Sequence, residues 1–216
     1  MWDWEFAADI FPRLLWMLRI TIAATLAGMS LALVAGLVLA LISRSEYVFV
    51  SLPTQWFVDF VRTTPLLVQL YFLYYVLPSF GVVLETYTTG IIGLGLHYGA
   101  YLSGVYRAGI DAVPQGQWDA AIALNFSGPR TWISVILPQA IKPMLPVLGN
   151  YFISMFKDTP VLSAISIIEV LTTAKTIGTR SFRFIEPLTI VGVMYFCVSY
   201  PCAIVIRSLE KRYAQK

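Results

Sequence analysis

The sequence predicts an all-α integral membrane protein, a single transmembrane domain over residues 1–216. Three observations carry this. Hydrophobic residues make up 58% of the chain and charged residues only 12%, where soluble chains run at roughly 45–50% and about 25%. So little charge cannot cover the surface of a soluble domain of this size, and it excludes a disordered chain and a nucleic-acid binder as well. The apolar residues gather into five long runs, and about 20 residues at 1.5 Å each cross a hydrocarbon core. Lys and Arg are shared unevenly among the loops between the runs.

The runs place spans at about 14–42, 60–84, 86–109, 143–168 and 187–209. The first, uncharged from Ile20 to Ile42, is too long for the apolar region of a signal peptide. Asp3, Glu5 and Asp9 precede it where a signal would be basic, so it reads as a retained span. The second holds Pro78 near one end, and the third is uncharged apart from a neutral His97. The fourth is interrupted by Lys157, Asp158 and Pro160. The fifth carries Cys197 and Cys202, five apart and so on different helix faces: two free, buried thiols are expected. With His97 as the single histidine, no metal site is expected.

Five spans put the termini on opposite sides. One side collects Arg44, Arg62, Arg107, Arg130, Lys142, Arg207, Lys211, Arg212 and Lys216. The other collects Arg13, Arg19, Lys175, Arg180 and Arg183. The richer side is cytoplasmic, which places the C-terminus inside and the N-terminus outside. The longest inner loop is then about 110–142 and the longest outer one about 169–186, and loops of this length are usually functional. No internal repeat is visible, which weighs against a carrier built from inverted halves.

In the inner loop, Gly116 to Phe126 suits a short helix with Asp119 in its early turns, where the helix dipole favours negative charge. Ala120, Ala121 and Leu124 form a small apolar strip. Ser127-Gly128-Pro129 stops this helix and starts the next, and Pro138 and Pro143 are expected to end that one. The pair reads either as a knob for a partner protein or as a solvated connector.

The segment QWDAAIALNFSGPRTWISVILPQA resembles the EAA loop of ABC importer permeases. Asp119 stands where that motif has Glu, Ala120, Ala121, Leu137 and Pro138 match, and Asn125 replaces its Gly. VRTTPLLVQLYFLYYVLP from Val61, GAYLSGVYRAGIDAVPQGQW from Gly99 and LPQAIKPMLPVLGNYFISMFKDTPVLS from Leu137 are similar to the polar amino-acid branch. The resemblance covers nearly the whole chain. It implies the type I ABC importer permease fold in a bacterial inner membrane, two permease subunits (identical or related), a dimeric cytoplasmic ATPase and an extracytoplasmic solute-binding protein. It also implies that Gly116, Asp119, Ala120, Ala121, Leu124, Asn125, Leu137 and Pro138 couple to the ATPase. The chain has no G-x-x-x-x-G-K-[ST], so ATP and Mg would sit on the partner and this chain would be a transport subunit rather than an enzyme. Asn is the residue after Gly that best tolerates positive φ, so the loop contact is expected to survive the exchange.

Polar groups within the runs mark a solute path. Lys157, Asp158 and Thr159 lie deep in the fourth run, about 21 Å of helical rise from Pro143. Charge is tolerated there only beside a cavity or inside protein. Pro160 also strips a donor from the carbonyl one turn back. This break is either a path wall or gate, or part of an ion-pair network holding the spans together. Gln69 and Tyr101 complete the candidate path. Tyr71, Tyr74 and Tyr75 read as packing or interfacial residues. His97 reads as a hydrogen-bonded packing residue beside the Gly95/Gly99 pair, whose spacing permits close helix contact. Glu169 and Lys175 border the outer loop and read as a solvated face.

Gly104 departs from the branch, which commonly has Glu at the matching place; that loss disfavours strongly cationic solutes. WDWEF, LYFLYYVLPSFG and SMFKDTPVLSAISIIEVL look most like permeases for ectoine and hydroxyectoine, compact zwitterionic amino-acid derivatives. A secondary, ion-coupled amino-acid transporter is the alternative. An intramembrane enzyme lacks any evident acid pair, metal set or activated nucleophile.

Overall fold

The computed structural model describes residues 2–214, all-helical with no strand among them. Helix α1, Trp4–Ser43, is 40 residues long, about 60 Å at helical rise. Asp3 caps it by accepting from the Phe6 N–H at 3.1 Å. Helix α2 is Val48–Thr63, and the arm Leu66–Phe80 that follows is bent from it by 108°. The bend falls near the start of the run expected to cross from about 60 to 84, and α2 precedes most of that run as a separate arm. The cause is local: Pro65 offers no N–H and forces Thr64 extended, at φ −98° and ψ 133°. The second arm starts as α3, Leu66–Tyr71, widens into a π turn at Phe72–Val76 and ends as a 3-10 turn at Leu77–Phe80.

Helix α4, Thr86–Asp111, is followed by α5, Gln115–Ala123, and α6, Gly128–Thr131. A second π turn, Trp132–Ile136, leads straight into α7, Leu137–Asp158. The expectation that Pro138 and Pro143 end this helix is corrected: both lie within one helical run. The two π turns share a reason. Each is followed by Leu-Pro (Leu77-Pro78, Leu137-Pro138), and the Leu N–H bonds five residues back, to Phe72 O or Trp132 O. The widened turn carries the chain past a proline ring that would otherwise meet the carbonyl four residues earlier. A 3-10 segment at Thr159–Ile165, α8 at Val170–Ser181 and α9 at Ile185–Ala214 complete the chain.

Helix α1, the stretch Gly128–Ile165 and the stretch Ile185–Tyr213 are each long and apolar enough to cross a membrane, and the bent pair around Thr64 passes jointly. Helix α4 has the length, at 26 residues, but not the hydropathy. It packs against α1, α2, α3 and α7. An interior helix needs small residues and hydroxyls for close packing more than lipid-facing leucines. Its tightest contact is with α1: a Cβ on Gly36 would lie 2.9 Å from Gly99 O, and one on Gly99 would lie 3.4 Å from Gly36 N. The backbones touch, as the Gly95/Gly99 spacing predicts.

The main core joins Ala32, Leu70, Leu94, Tyr98, Leu102 and Met155. A second cluster, with Leu14, Phe156, Val170, Ala174 and Met194, holds α8 against α1 and α9. Outside these cores the apolar residues point outward, with Val34 63%, Phe196 60% and Val205 60% exposed. That inverted surface suits a hydrocarbon surrounding. Cys197 and Cys202 are free but not buried: Cys197 is exposed and Cys202 half-buried on α9. The apolar run that holds them has one face turned away from the chain, which composition cannot reveal.

Charges tie the two ends. Arg183 reaches Asp3 at 3.1 Å and Glu186 at 2.5 Å, and the Asp3 N–H also donates to Glu186, fixing the start of α1 to the α8–α9 turn. At the opposite end of α1, Arg44 pairs with Asp111 of α4. Glu169 overturns its reading as a solvated residue. It is fully buried and caps α8, accepting from the Leu171 and Thr172 N–H groups at 2.9 and 2.7 Å and from Thr172, Thr21 and Tyr195 hydroxyls.

Three substitutions test the packing. Gly36→Ala is expected to destabilise the detergent-solubilised protein by about 1–3 kcal/mol, because the added carbon meets backbone that cannot swing aside. Gly192→Ala, with nothing within 4 Å of the added carbon, is expected to leave thermal unfolding unchanged or raise it. Glu169→Ala, which strips acceptors from buried donors, is expected to cost about 1–3 kcal/mol or more in the same assay.

Candidate functional site

The α5 hairpin projects from the ends of α4 and α7. Its floor is a cluster of Ile110, Val113, Ile136, Ala140 and Met144. Trp118 and Trp132 meet edge to face at 5.3 Å, and Gln139 donates to Gln117 at 3.1 Å. Helix α5 ends in a left-handed residue, Asn125, at φ 56°. The Asn125 N–H bonds Ile122 O at 2.8 Å and the Phe126 N–H bonds Ala121 O at 3.0 Å. This paired closure is a Schellman cap, whose left-handed position is usually glycine. The exchange of the motif glycine for Asn125 therefore preserves the turn. The carbonyls of Ala120, Ala121 and Ile122 are satisfied, and Arg130 lies over the Phe126 ring at 4.2 Å.

The faces of α5 sort the predicted coupling residues. Gly116, Asp119, Ala120, Leu124 and Asn125 are exposed, as is Pro138; Leu137 is half-buried. Asp119 sits in the second turn rather than the first and accepts from Gln115. Ala121 is the exception to the expected strip: at 1% exposed it faces the protein's own hairpin and presents no surface to a partner. Ile122, 71% exposed on the other side of α5 from Leu124 at 68%, was not among the predicted coupling residues. Its apolar side chain on a face that the sequence pattern does not bury was the available signal.

A cleft of about 530 Å³ lies along α4, lined by Arg62 at the end of α2, by Tyr101, Gly104, Val105 and Gly109 of α4, and by Met144 and Tyr151 of α7 among others. Tyr101 donates to the Arg62 carbonyl at 3.0 Å and lies 5.9 Å from the Tyr151 ring. Gln69 stands behind this wall. Its amide donates to Val61 O at 2.7 Å and Thr64 O at 3.0 Å, taking up carbonyls left open by the bend, and its oxygen faces His97 Nδ1 at 3.2 Å. His97 is a hydrogen-bonded packing residue, between Gln69 and the Tyr98 and Tyr101 rings.

At the break after α7, the Asp158 carboxylate accepts from the Tyr98 hydroxyl at 2.6 Å. Lys157 is exposed, and neither it nor Asp158 enters an ion pair among the described residues. The alternative of an ion-pair network at this break finds no ion pair among the described residues. Thr159 is fully buried: its hydroxyl donates at 2.8 Å to Phe156 O, the carbonyl that Pro160 deprives of its helical donor, and meets the Tyr195 hydroxyl at 3.3 Å. Of the five path candidates, Tyr101 lines the cleft, Gln69 and Thr159 repair broken backbone, and Lys157 and Asp158 sit at the break itself. Arg62 and Gly104, not among the path candidates, lie in the cleft wall. No group of acids, histidines or cysteines among the described residues could hold a metal.

An outward-apolar helical bundle with an open cleft and a rigid, partly apolar hairpin at one end defines a membrane transport subunit. The sequence comparison makes this specific. Residues 15–215 match the model of the binding-protein-dependent transport system inner membrane component family, and the chain belongs to that family. It is 42% identical over 205 residues to the "Probable amino-acid ABC transporter permease protein y4tG" of Sinorhizobium fredii, covering 95% of this chain and 89% of that one. It is 36% identical over 195 residues to the L-cystine transport system permease protein of Bacillus subtilis, covering 86% and 83%. A crystal structure of an amino acid ABC transporter with histidines superposes at a TM-score of 0.89 and 32% identity, over 98% of this chain and 99% of that one. The methionine ABC transporter in an inward-facing form shares the fold at a TM-score of 0.65 and 14% identity, over 96% and 99%.

Asn125→Gly is expected to keep or slightly raise hairpin stability. Asn125→Val is expected to cost about 1–2 kcal/mol, the usual penalty for a branched residue in left-handed backbone. Hydrogen–deuterium exchange at residues 115–131 reads both: the amides of Asn125 and Phe126 lose protection only in the valine variant.

Proposed function

We propose that this chain forms the translocation path of an importer powered by ATP hydrolysis on separate subunits and carrying ectoine, hydroxyectoine or another polar amino-acid derivative. It works in the inner membrane of a bacterium as a multi-pass protein, with five spans, the N-terminus outside and the C-terminus in the cytoplasm. A second permease subunit, identical or related, lies beside it. A cytoplasmic ATPase dimer, holding ATP and Mg, takes the α5 hairpin, and an extracytoplasmic protein delivers the solute.

The observation that carries this reading is the family match over nearly the whole chain, joined to a hairpin that leaves the apolar Ala120 and Leu124 exposed on one side of α5 while Ala121 is buried. Lock and exposure together suit a lever. The Trp118–Trp132 contact and the floor cluster fasten α5 to α4 and α7. A push on α5 therefore moves the two helices that wall the cleft. ATP binds the closed ATPase pair more tightly than the open one, and that difference in affinity supplies the bias between inward-open and outward-open states. The relatives named above are amino-acid permeases, and a zwitterionic cyclic amino-acid derivative falls within that chemistry. The ion-coupled alternative gains nothing from Lys157 and Asp158.

Leu124→Glu tests the lever. Truncating or charging a central apolar anchor commonly costs an interface tenfold or more, so ATPase capture by the purified permease is expected to weaken at least about tenfold with thermal stability unchanged. Undiminished capture would remove Leu124 from the interface. Ala121→Arg is expected to lower stability and capture together, because Ala121 is buried.

A further inference from the structure

At the end of the bundle away from the α5 hairpin, a pocket of about 250 Å³ opens between α1 and the last turns of α8. Its floor is Ile10 and Ile177, both buried, and its rim is Asp9, Arg13, Arg180 and Ser181. The two isoleucines belong to the cluster that packs α8 on α1, so both walls are fixed. Asp9, Arg13 and Arg180 are exposed, and none of them enters an ion pair among the described residues. Asp3 and Glu186, at the same end, are both engaged by Arg183. Two guanidiniums and one carboxylate thus face one pocket from two helices, leaving it net positive.

The pocket stands at the membrane boundary. Arg13 lies seven residues before Ile20, where the uncharged run begins, about 10 Å of helical rise outside it. A headgroup layer extends roughly 5–8 Å beyond each face of the hydrocarbon, within reach of a long arginine side chain. Around Arg13 the helix presents Phe11, Leu15 and Trp16 outward, at 45%, 51% and 60% exposed. The Arg19 guanidinium lies 3.4 Å over the Trp16 ring. Exposed aromatic side chains with basic neighbours suit a lipid–water interface. This apolar surface reaches the level of the pocket and gives acyl chains a place to lie, which favours a lipid over the acidic face of a soluble protein.

We propose that this pocket binds the headgroup of an amine-bearing phospholipid, with Arg13 and Arg180 taking the phosphate and Asp9 the ammonium. Arginine holds phosphate by charge-assisted hydrogen bonds from a planar fork. A headgroup with one phosphate and one ammonium offers a partner to each kind of charge in the pocket. A glycerol headgroup would leave Asp9 without a cation. A lipid so held straps α1 to α8. The inference needs only the membrane bundle and stands apart from the importer reading.

The test is native mass spectrometry of the full chain, delipidated in detergent and then given equimolar phosphatidylethanolamine, phosphatidylglycerol and phosphatidylcholine of matched acyl chains. Wild type is expected to retain phosphatidylethanolamine above the other two. Arg13→Gln and Arg180→Gln are each expected to lower that retention about tenfold or more, the worth of a charge-assisted hydrogen bond. Thermal unfolding of the delipidated variants is expected to match wild type. Arg180→Lys, which keeps a charge, is expected to lose less than Arg180→Gln. Asp9→Asn is expected to erase the preference for phosphatidylethanolamine over phosphatidylglycerol. Lys175→Gln, on α8 but outside the pocket, is expected to change nothing. Equal retention of the three lipids by wild type, retention indifferent to both arginine variants, or a preference that survives Asp9→Asn would overturn the proposal. So would an equal loss in Lys175→Gln, which would make the effect one of diffuse surface charge. Displacement of the lipid by millimolar inorganic phosphate would overturn it in favour of a free-anion site. Loss of solute-binding-protein capture by the arginine variants, with lipid retention unchanged, would overturn it in favour of a protein interface.

Discussion

The side-chain amide of Gln69, bound to the carbonyls of Val61 and Thr64, is the interaction on which the cleft depends. A helix broken beside hydrocarbon exposes carbonyls that no water can satisfy, and each one left open costs several kcal/mol. Pro65 makes the break and Gln69 repairs it from one turn further on. The bend then leaves Arg62 at the end of α2, where the Tyr101 hydroxyl holds its carbonyl. Without that repair the Val61 carbonyl, to which Pro65 can offer no N–H, would be left open.

The same constraint explains the other irregular places. Thr159 takes up the carbonyl freed by Pro160. Two π turns carry the chain past Pro78 and Pro138. Glu169 satisfies the first amides of α8. Each of these departures from a straight helix is accompanied by a local device. Regular stretches such as the middle of α1 need only small residues and close contact.

Much of this was legible in the sequence. The apolar runs announce the long helices, Ser127-Gly128-Pro129 announces the start of α6, the Gly95/Gly99 spacing announces the α1–α4 contact, and the tolerance of Asn for left-handed backbone anticipates Asn125. What was not legible depends on partners distant in the chain. Glu169 reads as a loop charge until Thr21, 148 residues away, and Tyr195 close over it. Ala120 and Ala121 are indistinguishable in composition, and only the position of the Trp132 turn decides which one is covered. Pro138 and Pro143 carry the usual stop signal, yet the wide turn before Pro138 lets the helix run on. Cys197 faces outward because one side of α9 has no neighbour within the chain, a fact that hydropathy alone cannot express.

On the importer reading proposed above, motion of this bundle is driven from outside the chain, through the α5 hairpin. Its most direct measurement is solute uptake into proteoliposomes holding the permease pair, with and without the ATPase, in the presence of the solute-binding protein. Uptake is expected only when ATPase and ATP are present, and none under an imposed proton or sodium gradient alone. Uptake by the permease alone on either gradient would contradict it.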